Sequence, residues 1–440
     1  MANNNDALIP EKWAAEAIGL MYEQFLWGNL VYRDFENEIA QMGETVHVHM
    51  PAGFVAERKQ NDLDDVVEQD ASVVDIPVVL DQRVYVSFII GDGERSKSFK
   101  NLVELHLTEA MSAQVRLIDR CVAARTIDFL ANSAGSMGGL TTSNGVESAI
   151  DLSNVMNINN VPEVGRNLML ANNSHALMLK NDKVASTDYT GTAGSAVRRA
   201  YVGQIAGFET YRSGNAPTAT GVATGTPTTV DGAVAAGSTT IVVDATAPIQ
   251  WQYITVAGDN TPLRVTNVAT LTLTVNRATK FAIADAAVVT LYGLAAVDLA
   301  GGYATGWAKW IAYDGGTVQV GQMIAFAGNA AEYTVVQVSG SSFMLDRPLE
   351  STLIENHVIN LGPSGDMNLG FHSKAIALVT RPLALPMEGV GVRSAVINDN
   401  GYGIRVTISY DSKKEGHRVT IGSLCGTKTT DVNRGAVLLG

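Results

Sequence analysis

Hydrophobic and polar positions follow two different periods along this 440-residue chain, and each change of period marks an element. Between residues 10 and 34, Trp13, Ile18, Met21, Phe25 and Leu26 recur at roughly helical spacing behind Pro10, a residue suited to a helix start. From Thr45 the period falls to two, with Val46, Val48 and Met50 on one face and His47 and His49 on the other, until Pro51 closes the run. A charged loop, ERKQNDLDDVVEQD, separates this strand from a second strand-like stretch, SVVDIPVVLDQRVYVSFII. The two predict a long hairpin. Its tip carries Glu57, Arg58, Lys59, Asp62, Asp64 and Asp65, and reads either as a solvated loop or as a finger that docks on a neighbouring subunit.

The clearest helix follows. Within residues 99–130, Val103, Leu107, Met111, Val115, Ile118 and Val122 recur at steps of three and four, and NSAGSMGG ends the run. At 1.5 Å per residue it would span roughly 45–50 Å, long enough to lie across a large body as a strut. Residues 157–217 alternate helix-like and strand-like pieces. From about Gly221, Thr, Val, Ala and Gly dominate, and short alternating runs punctuated by Gly and Asn replace the helical pattern.

Within this β-rich stretch the chain repeats itself. QYITVAG, from Gln252, returns as QMIAFAG from Gln322, and LTVNRA, from Leu273, returns as FMLDRP from Phe343, both at an offset of seventy. The same offset matches Gly258 to Gly328, Val265 to Val335, Arg277 to Arg347 and Leu291 to Leu361, where chance would give about two or three identities. The stretch reads as a duplication, or as two copies of one β pattern. Each unit is expected to hold about four short strands, the pair forming a small barrel or two lobes. Ile254, Val256, Ile324 and Phe326 are expected in its core, and Arg277 and Arg347 at equivalent strand ends as structural residues.

Composition narrows the function. Charged residues make up only 17% of the chain, so much of its surface is expected to lie against partners. A net charge of -13 argues against a nucleic-acid reader, which normally shows a basic face. Cys121 and Cys425 are the only cysteines, so there is no disulfide framework, and no apolar run approaches the eighteen or so residues of a membrane span. The opening MANNNDALIPEKW has neither the basic nor the apolar region of a signal peptide.

Candidate chemistry is sparse. His47 and His49 would need a third ligand to hold a metal, and the chain has no H-E-x-x-H, no phosphate-binding glycine loop and no nucleophile elbow around Ser174–His175. Nothing in the sequence asks for a cofactor. The histidine pair reads as one face of a strand.

Three stretches, in order, resemble the major capsid proteins of tailed phages. IPEKWAAEAIGLMYEQFLWGNLVYRDFENEIAQMGETVHVHMP is similar to their amino-terminal arm and first hairpin strand. VPEVGRNLMLANNSHALML with VGQIAGFETYRSGNAP is similar to their central domain, on Gly165, Arg166, Ile205, Ala206, Gly207 and Phe208. NLGFHSKAIALVTRPLALP, GYGIRVTISYD and GSLCGTKTTDVNRGAVLL are similar to their carboxy-terminal strands. The resemblance implies an α+β chain of the Hong Kong 97 capsid fold: an arm at 1–43, an E-loop hairpin at 44–96, a spine helix and peripheral domain at 97–150, and an axial domain at 151–220. An inserted β domain at 221–362, with repeats at about 237–293 and 307–362, and returning axial and peripheral strands at 363–440 complete it. The insertion falls where some short-tailed phage coat proteins carry a β-barrel.

The implied function is that of a structural protein and not an enzyme. Copies would join as pentamers and hexamers into an icosahedral shell, assembled in the host cytoplasm and resident in the virion. The implied partners are further copies of the chain, a scaffolding protein, a portal protein and a decoration protein, with double-stranded DNA enclosed but not specifically bound and no membrane involved. Two other readings stay open here: a β-rich virion surface or adhesion protein, and a metal-dependent hydrolase.

Overall fold

The computed structural model describes residues 17, 25–33, 45–51, 54–59, 61, 65–66, 68–71, 73–93, 102–185, 202–224, 228–245, 250–306, 310–386, 392–399 and 402–440. Of the helix expected at 10–34, Trp27–Leu30 is helical, and Trp13, Ile18 and Met21 lie outside the described residues. The chain mixes helices and strands, with strands predominating.

The strut helix runs Leu102–Ala123 and tightens into a 3-10 turn, Ala124–Phe129. Its α-helical part, at 22 residues, spans about 33 Å, less than the sequence pattern suggests. Leu107, Met111, Val115, Ile118 and Val122 are buried on its inner stripe. That stripe packs against a five-stranded sheet whose central strand is Gly416–Thr429. One edge of this strand pairs with Gln82–Gly91, and the other first with Tyr402–Asp411 and then with Ile376–Pro382, while Arg393–Asp399 lies outside Tyr402–Asp411. Polar helix residues reach the same strand: Gln114 Nε2 donates to Ser423 Oγ at 2.9 Å, and Arg125 donates to Thr427.

Here the predicted hairpin divides. Thr45–Pro51 pairs with Val73–Val79 alone, and from Gln82 the second strand-like stretch leaves its partner for the sheet. A sequence of alternating apolar residues does not record which neighbour each half takes, so one pattern covers two sheets.

A second sheet of seven strands runs in the order Ser133–Gly135, Gly435–Leu439, Gly365–His372, Arg166–Leu170, Phe208–Arg212 and Gln204–Ile205, with Thr218–Ala219 beside Gly365–His372. The helix Gly145–Ile158 covers it through Ala149, Leu152 and Met156, which meet Leu168, Phe208 and Leu438.

Between Thr218–Ala219 and Gly365–His372 the chain builds two β units, each with six strands instead of the expected four. In the first, the strand order is Thr240–Val242, Thr272–Val275, Leu263–Ala269, Tyr253–Val256, Val288–Leu291 and Thr228–Thr229. In the second, Leu294–Val297, Trp310–Asp314, Ser342–Leu345, Glu332–Ser339, Met323–Phe326 and Val358–Leu361 close a barrel. One unit therefore suffices for closure. The strands missed in sequence are short and half-exposed, with too few residues to display a period.

The offset of seventy holds in the backbone. A bulge between Val265 and Asn267 recurs between Val335 and Gln337. Left-handed conformations recur at Trp251 and Gly321, Gly258 and Gly328, Thr270 and Gly340, and Ala286 and Asn356. Asn276 Oδ1 accepts from Arg264 N at 2.8 Å, as Asp346 Oδ1 accepts from Thr334 N at 2.9 Å. Ile254 and Val256 lie in one unit's core, and Ile324 and Phe326 in the other's, all with no exposed surface.

Candidate assembly surfaces

Register fixes the hairpin's two faces. Val46, Val48 and Val78 are buried against Leu80, Ala377 and Val379. On the opposite face His49 stands across from Asp75, and the Asp75 carboxylate lies 2.6 Å from His47 Nδ1 and 3.8 Å from His49 Nδ1. The imidazoles share one carboxylate as cross-strand neighbours on a solvated face. Among the described residues, no group of three or more His, Cys, Asp or Glu side chains is placed to hold a metal ion.

At the tip, Glu57, Arg58, Lys59 and Asp65 are exposed, while Asp62 and Asp64 lie outside the described residues. The tip also exposes apolar side chains that charge alone does not announce. Phe54, Val55 and Val66 are 67%, 71% and 72% exposed. Gln69 closes this loop on the backbone of Val55, its Oε1 accepting from Val55 N at 2.9 Å and its Nε2 donating to Val55 O at 2.5 Å. The signal lay in the FV before ERK and the VV inside the acidic run.

The β units are held by arginines. Arg277 pairs with Glu332 of the second unit, and Arg264 donates from the first unit to the carbonyls of Asn329 and Ala330. The second unit docks on the strut helix with the same face. Arg347 Nη2 donates to Asp128 Oδ1 at 3.1 Å and its Nε to Asp346 Oδ2 at 2.7 Å, while Thr334 Oγ1 donates to Ala124 O at 3.3 Å. Asp128 also accepts from Thr429 at 2.6 Å, and the nearby Arg347 and Arg125 cations overcome its burial to hold its pKa below the usual carboxylate range.

Three other buried groups, Ser174, Cys121 and Asp119, serve structure. Ser174 Oγ donates to Asp366 Oδ2 at 2.7 Å and accepts from Asn368, so its partners are a carboxylate and an amide, not a base in the His175 ring. Burial pushes the Cys121 thiol up to about 12, far from a reactive thiolate. Burial also raises Asp119 to about 6, against the backbone N–H groups of Leu26 and Gly28 at 3.2 Å, so this carboxylate pins the amino-terminal segment to the helix.

No family model and no curated protein matches this chain. Among solved structures it is similar to a chain described as Mycobacterium phage Che8, at 12% identity over 94% of this chain and 91% of that one, with a TM-score of 0.45. The capsid structure of the cyanophage P-SCSP1u matches at 10% identity over 91% and 84% of the two chains, TM-score 0.44. The mature capsid of bacteriophage PhiM1 matches at 10% over 93% and 87%, TM-score 0.41.

Proposed function

We propose that this chain is the shell-forming subunit, the major capsid protein, of a tailed bacteriophage, with the Hong Kong 97 architecture that its sequence resembles. The observation that carries the reading is the hairpin at 45–79, with its exposed tip, feeding directly into a strand that the strut helix backs. The ribbon buries Val46, Val48 and Val78 on its own chain but leaves Phe54, Val55 and Val66 exposed at its tip, and exposed apolar side chains of this kind suit a surface that another copy covers.

In this reading the five-stranded sheet is the peripheral domain, the seven-stranded sheet the axial domain, and the β units the inserted domain at the outer face of the shell. Copies join as pentamers and hexamers into an icosahedral shell around double-stranded DNA, and many weak contacts sum through multivalency. The tip, with Glu57, Arg58, Lys59, Asp62, Asp64 and Asp65, sets register on the neighbouring copy. A scaffolding protein and a portal protein complete assembly in the host cytoplasm, and a decoration protein is a further partner.

Sedimentation and electron microscopy of the expressed chain, with its scaffold supplied, test the reading. Closed particles of many copies are expected. A chain that stays monomeric with scaffold present overturns it.

A further inference from the structure

The first β unit and the loop that follows the strut helix flank a cavity of about 430 Å³. Leu130 and Ala131 wall it on the host side, and Pro262, Leu263, Arg277 and Lys280 on the side of the unit. The Met137 N–H donates to the Asn260 carbonyl at 3.0 Å and ties the two walls together. That volume suits a small organic molecule, whose sites run from about 300 to 1,000 Å³ and set a few polar groups in apolar walls.

The internal repeat shows what distinguishes this face. At the offset of seventy, Pro262 stands where the second unit has Glu332, Asn276 where it has Asp346, and Lys280 where it has Glu350. In the second unit this face holds cations: Glu332 pairs with Arg277, and Asp346 with Arg347. In the first unit none of the three positions carries a carboxylate, and one of them carries an ammonium. The cavity lining therefore includes two cations, Arg277 and Lys280, and no acid. Leu263 likewise replaces Tyr333, whose hydroxyl accepts from Asn329 Nδ2 and from Glu350 N, so the wall is apolar where the second unit has a hydroxyl.

The two cations differ in their commitments. Arg277 is taken up by Glu332 and by the Pro262 carbonyl. Among the described residues, no side chain forms a hydrogen bond or close ion pair with the Lys280 ammonium. Asp259 is the carboxylate whose field reaches it, but that side chain is fully buried and occupied. Its Oδ1 accepts from Lys280 N at 3.0 Å and from Phe281 N at 2.9 Å, and its Oδ2 accepts from Thr261. Burial holds the Lys280 pKa below the usual ammonium range against that field. An anion in the cavity supplies the partner that this ammonium lacks.

We propose that this cavity is a binding site for a small organic carboxylate, its apolar body against Leu130, Pro262 and Leu263 and its carboxylate on the Lys280 ammonium. The site lies within one chain, so it stands or falls apart from the shell reading.

Titration of the full-length chain with hexanoate, hexylammonium and inorganic phosphate, followed by saturation-transfer NMR of each ligand, tests the site. Saturable binding of hexanoate is expected in the wild type, with phosphate and hexylammonium weaker. Lys280→Met is expected to weaken hexanoate about tenfold or more, the order of one lost charge-assisted hydrogen bond. Lys280→Arg, which keeps the charge, is expected to retain binding and so separates loss of charge from loss of fold. Lys280→Glu restores the charge that the second unit carries at this position, and is expected to reverse the preference toward hexylammonium. No saturable hexanoate binding in the wild type, phosphate binding as tightly as hexanoate, or hexanoate binding undiminished in Lys280→Met overturns the proposal.

Discussion

Arg277 and Arg347 stand seventy residues apart and grip successive bodies, Arg277 the Glu332 carboxylate of the second β unit and Arg347 the Asp128 carboxylate at the end of the strut helix. The two units are thus stacked, each docking on the next body with the same face. Pro262 occupies the position in the first unit that Glu332 holds in the second, so the first unit offers no matching carboxylate to a third. The stack ends there.

Removing Arg347 is expected to cost more than removing Arg277. Arg347→Ala strands Asp346, which is fully buried, and weakens the pairing of Asp128, so a loss of about 3–5 kcal/mol is expected. In Arg277→Ala, Glu332 keeps Arg264 at 3.8 Å and a bond from Tyr253, and the loss is smaller. Denaturant titration of both variants checks the order.

The two unit cores are expected to respond alike to truncation. Ile254→Ala and Ile324→Ala each remove a side chain with no exposed surface, and each is expected to lower stability by about 2–5 kcal/mol. A fragment of residues 221–362 is expected to give one cooperative β-type melt by circular dichroism. An unfolded fragment defeats this division of the chain.

Acid is expected to favour the folded chain at Asp119, where burial penalises the charged carboxylate more than its backbone N–H partners support it. The Asp119 carboxyl is raised by burial from 3.8 to about 6, so between those values the folded chain binds more protons than the unfolded one. Its contribution to stability is full below about pH 3.8 and is lost as pH rises through about 6. Asp81, also raised to about 6 by burial, acts in the same direction. Stability measured from pH 4 to 7 is expected to fall less steeply in Asp119→Asn than in the wild type.

The tip is expected to matter between copies and not within one. Arg58 and Lys59 are exposed, and exposed ion pairs contribute only about 0–1 kcal/mol. Arg58→Glu with Lys59→Glu is expected to leave the melting temperature nearly unchanged while impairing particle formation. Normal assembly of that variant counts against an intersubunit role.

Much of this molecule was legible where a period runs long enough to be read. The stripe from Leu107 to Val122 gave the strut helix, and the alternation at Val46 to Met50 gave the ribbon and placed His47 and His49 on one face. Repeated identities such as Gly258 with Gly328 gave the duplication, down to a shared left-handed turn. What stayed hidden depends on partners far along the chain. Nothing near Gln82 says that its strand will pair with Cys425 and its neighbours, and nothing near Arg347 names Asp128.

The two β units hang from a narrow neck. Ala219 pairs with Gly365 and Thr218 with Asp366, and Ser364 Oγ donates to Gly221 O at 2.8 Å. A Cβ on Gly221 would lie 2.5 Å from Gly362 O, so the outgoing and returning chains touch. Ends this close need only a tight turn to join them. At the level of the gene, an in-frame exchange between the codons for Gly221 and Gly362 can therefore replace or lengthen this module without moving the ends of the strands Thr218–Ala219 and Gly365–His372 that carry it. The neck makes that stretch of coding sequence a natural crossover point, at which related chains can trade β modules while inheriting the same two host sheets.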